Sequence, residues 1–149
     1  MDLVRDLRGQ RVYLDANIFI YALNSLEPYR VALLELFAAI DAGEIHSATS
    51  ELTVAEVLVV PLRRANSDEE RNCRMILRPR PSLELIPVSL GILEAAARLR
   101  ASTPSLRMPD AIHLATAQQA GCQAALTNDE RWKAVAPPKV ILLSEAIQS

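Results

Sequence analysis

Two cysteines and two histidines are all that the 149 residues offer of either type, and neither pair is arranged for a metal. Cys73 lies far from Cys122 and His46 far from His113, so a zinc site built on thiolate and imidazole is not expected. The thiols read as free, in a reducing cytoplasm. No apolar run approaches the roughly 20 residues that span a bilayer, so no membrane association is expected. The opening MDLVRDLRGQR alternates charges with Leu and Val, unlike a secretory signal. Internal repeats, low-complexity tracts and interdomain linkers are missing as well. What remains is a chain of single-domain length, residues 1–149, with enough hydrophobic residues (50%) for one core.

Net charge is −2, which by itself argues against a nucleic-acid binder. That argument weakens if acids gather at one metal site. With four acids set aside, the −2 becomes about +2, and the remaining surface is mildly basic.

Strand and helix patterns alternate throughout. Residues 12–15 read as a short buried strand, followed by a helix from Ile18 with Asn17 at its N-cap. Pro28 opens a helix with an apolar face of Val31, Leu33, Leu34, Leu36, Phe37 and Ile40, ended by Gly43 at C′. Residues 44–48 form a second strand, and Thr49 or Ser50 caps a helix to about Arg64. A further helix starts at Ser67 and stops before Pro79 and Pro81. Residues 83–88 form a third strand, and Ser89 caps the next helix. Pro109 sits in the first turn of a helix ending near Gly121. A strand at 122–126, a short helix at 129–135, a strand at 140–143 and a short C-terminal helix complete the chain. Such alternation implies an α/β domain with a parallel sheet of about five strands and helices on both faces.

Four acids resist a purely structural account. Asp15 stands at the carboxyl end of the first strand, the edge where ligands sit in open α/β sheets. Glu56 falls four residues after Leu52 and three before Val59, inside a stripe of Leu52, Ala55, Val59 and Leu62 that reads as buried. A carboxylate there must be paired, protonated or bound to a cation. Asp110 opens the mainly apolar helix of RMPDAIHLATA. Asp129 ends the fourth strand, in ALTND, and repeats the strand–acid–helix order of Asp15. Each has a plain alternative as a helix-start or stripe-edge acid. Carboxylates sharing a cleft repel one another, so neutralising one of them, as in Asp110→Asn, is expected to raise the melting temperature without metal. A hard divalent cation removes the conflict, because magnesium and manganese prefer oxygen ligands.

LDANIFIY, Glu56 in SELTVAEV, RMPDAIHLATA and TNDERW, in that order, resemble the motifs of a PIN-domain nuclease. Length and layout resemble the stand-alone VapC-type toxins of prokaryotic toxin–antitoxin pairs. The likeness runs from about Arg11 to Leu143, with residues 1–10 as an N-terminal extension. It implies an acidic metal site of Asp15, Glu56, Asp110 and Asp129, with Asn17 and Thr127 as supporting polar positions. It further implies a parallel sheet between helices, Mg2+- or Mn2+-dependent cleavage of RNA, a cognate antitoxin and a homodimer. Two alternatives stay open: a PIN-type nuclease of housekeeping RNA processing, and a non-catalytic module that binds metal or RNA. An aspartyl-phosphate phosphatase also begins with a strand-end Asp, but it needs a second Asp where this chain has Asn17.

Arg63, Arg64, Arg71, Arg74, Arg78 and Arg80 make the most basic stretch. Arg63 and Arg64 are candidate RNA contacts, although a solvated face balanced by Asp68, Glu69 and Glu70 is the plainer reading. Arg107, three residues before Asp110, could reach a phosphate near the metal. His113 is expected to be a partly exposed helix residue rather than a ligand, and Trp132 and Cys122 to be core.

Overall fold

A computed structural model describes residues 2–147. The first of these form α1 (Leu3–Leu7), where the Asp2 carboxylate caps the helix by accepting the Arg5 backbone N–H. Leu3 and Leu7 are buried in the core, so the N-terminal extension is packed against the domain.

The apolar run Arg11–Leu14 forms β1, and Asp15 ends it as the N-cap of α2 (Ala16–Leu23). Asn17 is therefore the second residue of the helix and not its cap, and the Asp15 side chain makes no capping bond. Then come α3 (Arg30–Asp41), β2 (His46–Ser50), α4 (Glu51–Arg63), α5 (Ser67–Ile76), β3 (Leu83–Ile86), α6 (Leu90–Ser102) and α7 (Met108–Gln119). β4 (Ala124–Thr127), a 3-10 turn (Glu130–Ala134), β5 (Lys139–Leu142) and α8 (Leu143–Ala146) complete the order. Caps follow the chemistry of the side chains: Ser50 accepts the Leu52 N–H, Asn66 those of Asp68 and Glu69, and Ser89 that of Ile92. Gly43 has φ +79°, as its C′ position after α3 requires.

All strand pairs are parallel, in the order β3-β2-β1-β4-β5. The direction of winding reverses between β1 and β4, which places a cleft at their carboxyl ends. Alternation along β1 divides the core. Val12 and Leu14 face a layer that includes Phe19, Leu36, Ile40 and Val57. Tyr13 faces the opposite layer with Leu114, Ala125 and Trp132. On that side Ala111 and Ala115 of α7 pack against Ile92 and Ala96 of α6, and the small side chains permit a close approach. No helix among the described residues is long and apolar enough to cross a membrane.

Helix α4 departs from the expected stripe. Its buried residues are Thr53, Val57, Leu58 and Pro61, while Ala55, Val59 and Leu62 are exposed and Leu52 is half-buried. The helix is turned by about one residue relative to the sequence reading. Apolar residues occupy both faces, so periodicity cannot choose between them. Two less hydrophobic residues settle the matter: Thr53 satisfies its hydroxyl against Thr49 (2.7 Å), and Pro61 lies buried within the helix. Glu56 thus lies at the edge of the packed face, with its side chain 34% exposed.

Candidate active site

Parallel winding brings Asp15 from the end of β1 beside Thr127 from the end of β4. Asp15 is 7% exposed, and its Oδ2 accepts the Thr127 hydroxyl at 2.7 Å. Thr127 Oγ1 in turn accepts the backbone N–H of Asp129 at 3.0 Å, so one hydroxyl ties two of the four acids together. Burial holds the Asp15 carboxyl above the ordinary aspartate range, and the charge of Glu56 adds to the rise, against the lowering effects of His113 and Thr127.

Glu56 reaches toward the cleft from α4. Its Oε1 lies 2.6 Å from His113 Nε2, and His113 Nδ1 lies 2.6 Å from the Tyr13 hydroxyl. His113 is fully buried, contrary to the partly exposed position expected of it. The reason is topological. β1 and β2 bring Tyr13 and the N-terminus of α4 under α7, which turns the His113 face of that helix inward.

Asp110 and Asp129 stand differently. Asp110 completes a capping box at the start of α7, its Oδ2 accepting the Arg107 backbone N–H at 3.1 Å. Arg107 Nε also approaches that oxygen at 3.4 Å, and Trp132 Nε1–H donates to Oδ1 at 3.2 Å. Asp129 holds Arg131 through both carboxylate oxygens, at 2.9 and 2.7 Å, and Arg107 stands 3.9 Å away. The Arg131 hydrogen bonds hold the Asp129 carboxyl below its ordinary range. The acids thus fall into a pair without arginine partners, Asp15 and Glu56, and a pair held by arginine.

The matching family model spans residues 12–137 and is that of the PIN domain. The chain belongs to the PIN-domain family. Among solved structures, this PIN domain is similar to a toxin-antitoxin complex from Klebsiella pneumoniae, at 29% identity and a TM-score of 0.67, covering 89% of this chain and 97% of that one. It also resembles VapBC2 from Rickettsia felis bound to a DNA fragment from their promoter, at 18% identity and TM-score 0.70, covering 89% and 98%. A third is VapC20 from Mycobacterium tuberculosis, a sarcin-ricin loop cleaving toxin, at 18% identity and TM-score 0.66, covering 83% and 93%. The last two speak for the fold alone. No curated protein matches the chain. The family and the five-stranded parallel fold expected from the motifs are borne out.

The oxygen donors at the PIN cleft suit a hard cation. Their spacing is looser: among the described residues, no three His, Cys, Asp or Glu side chains form a group that could hold a metal ion. Asp110 is turned to Arg107 and Trp132, Asp129 to Arg131, and Glu56 to His113. A cation at this cleft would compete with Arg107 for Asp110 and with Arg131 for Asp129.

In the basic stretch, four of the six arginines are ion-paired among the described residues. Arg64 pairs with Glu69, Arg71 with Asp68, Arg74 with Glu70 and Arg80 with Asp41. Arg64 and Glu56 nevertheless line one cavity of about 380 Å³ between α2, α4 and α5, while Arg63 is exposed. Arg107 has a side chain 65% exposed at the mouth of the acidic cleft. Asn17 is half-buried in the first turn of α2, and Asn128 accepts the Ser144 N–H and so anchors α8. Cys73 and Cys122 are free and buried, and burial pushes the Cys122 thiol up to about 11. Sequence reasoning missed the polar line from Tyr13 through His113. The available signal was a tyrosine in a core strand, whose hydroxyl needs a buried partner.

Proposed function

We propose that the protein is a metal-dependent endoribonuclease, the toxin of a VapBC-type toxin–antitoxin pair in the cytoplasm, using Mg2+ or Mn2+. The observation that carries the reading is Asp15: a buried carboxylate at the sheet's switch point, raised by burial and by Glu56, and supported by Thr127. A group in that condition gains most from a hard cation. Asp15, Asp110 and Asp129 would hold it, with Glu56 completing the set directly or through water. Such a cation, when bound, activates water and stabilises the leaving oxygen of a phosphodiester.

The chain's own residues supply the positioning. Thr127 fixes one oxygen of Asp15. Glu56, with Oε1 engaged by His113, keeps its second oxygen to orient a water and take its proton. Arg107, exposed beside Asp110 and Asp129, would pair with a phosphate, and Arg63 and Arg64 are the candidate contacts to flanking backbone. The likeness to toxin–antitoxin structures supports a cognate antitoxin as partner. A homodimer is the assembly implied by the family resemblance.

The test is incubation of wild-type protein and Asp15→Asn with mixed RNA, with magnesium and with chelator. Metal-dependent cleavage by the wild type alone is expected. Retention of RNA without cleavage indicates a binding module. Cleavage without growth arrest on expression indicates housekeeping RNA processing.

A further inference from the structure

We propose that His113 is the positioning residue of Glu56, with its tautomer set by Tyr13. The inference rests on the nuclease reading for its kinetic consequence, but its geometry stands independently.

Proton order follows from both ends of the line. Glu56 Oε1, 2.6 Å from His113 Nε2, is a carboxylate oxygen, so Nε2 must carry a hydrogen to donate. At the other end, the Ser50 backbone N–H can only donate, and the Tyr13 oxygen accepts it at 3.1 Å. The phenolic hydrogen is then free to point at His113 Nδ1, 2.6 Å away, which in the proposed tautomer accepts it. One imidazole hydrogen, on Nε2, satisfies every partner. The ring cannot turn to offer its other edge. It is buried, stacks on Trp132 at a centroid distance of 5.6 Å and 29°, and meets Tyr13 edge-on at 5.8 Å and 62°.

The consequence falls on Glu56. Its side chain is long, at the edge of α4, and borders the cavity that Arg64 and Glu69 also line. Without a partner it has several rotamers open to it at the edge of that cavity. His113 fixes one oxygen and aims the other, so the donor acts on the orientation of Glu56 and not on substrate. Tyr13 and Trp132 extend the same support, since Trp132 also donates to Asp110. Two acids of the site are thus held from behind by one buried aromatic group.

The experiment pairs kinetics with spectroscopy. His113→Leu is expected to lower kcat by about 10- to 100-fold with KM little changed, the usual cost of losing an orienting partner. His113→Gln, which keeps an N–H donor near the Nε2 position, is expected to recover much of the loss. Long-range proton–nitrogen spectra read the tautomer without any activity, and a His46→Gln variant assigns the signals because the chain has two histidines. The Nε2–H form is expected in the wild type and is weakened in Tyr13→Phe. An Nδ1–H form overturns the proposal. So does wild-type kcat in a folded His113→Leu, or an equal loss in both His113 variants. If the wild type cleaves no RNA, the nuclease reading falls, while the tautomer still decides whether His113 orients Glu56.

Discussion

Thr127 Oγ1 donates to Asp15 Oδ2 at 2.7 Å across the seam between β1 and β4, and accepts the Asp129 N–H at 3.0 Å. Thr127→Val keeps the shape and removes both interactions. Metal affinity or cleavage should fall by about 10- to 100-fold, with the fold retained, whereas Thr127→Ser should stay near wild type. Parallel metal titrations and cleavage assays of the three proteins check this. Equal behaviour of Val and Ser variants would remove Thr127 from the site.

Asp15 makes stability depend on pH in a stated direction. Its folded value is raised above the unfolded one, first by burial. Below the unfolded value, about 4, both states hold the proton and there is no penalty. As pH rises through the folded value, the native state must ionise a buried carboxyl and stability is lost. Asp15→Asn should therefore be more stable than wild type at pH 7 in chelator, and the advantage should close toward pH 4. Denaturant titrations at the two pH values decide it. An advantage that does not change with pH would point to packing instead.

Asp110→Asn should do the opposite of what acid crowding alone suggests. The carboxylate accepts the Arg107 backbone N–H and Trp132 Nε1–H, and faces Arg107 Nε. An amide cannot accept on both sides, so one buried donor is left facing an NH2. A loss of about 1–3 kcal/mol is expected, in chelator and at neutral pH. A raised melting temperature would restore the crowding argument at this position.

Arg131→Ala frees Asp129. The Asp129 carboxyl is held low by Arg131, so the pair's contribution is present above pH 4 or so and lost as pH falls through the lower folded value. The variant should be slightly less stable than wild type at pH 7 and equal to it in strong acid. It should also bind Mn2+ more tightly, because the two-point guanidinium partner is gone and only Arg107, at 3.9 Å, still faces the carboxylate. Calorimetric titration with Mn2+ measures this, and unchanged affinity would show that Arg131 does not guard the site.

Expression in a bacterial host provides the cellular counterpart. On the toxin reading, wild-type protein should arrest growth and Asp15→Asn should not. Equal growth at equal expression would count against nuclease-driven arrest.

The alternation of short apolar strands with capped helices was legible in the sequence because both signals are local. Ser50, Ser89 and Gly43 act where their chemistry predicts. The strand-end position of Asp15 was equally readable, since a charged residue ends a buried run wherever that strand lies. The orientation of α4 was not readable: with apolar residues on both faces, only packing against α2 and α5 and the Thr49–Thr53 hydrogen bond select one. Nor did spacing along the chain foretell that Asp110 and Asp129 would hold arginines while Asp15 and Glu56 do not. His113 needed the tertiary structure most. Its partners Tyr13 and Glu56 lie 100 and 57 residues away, and only the parallel sheet with α7 across it brings both within hydrogen-bond distance.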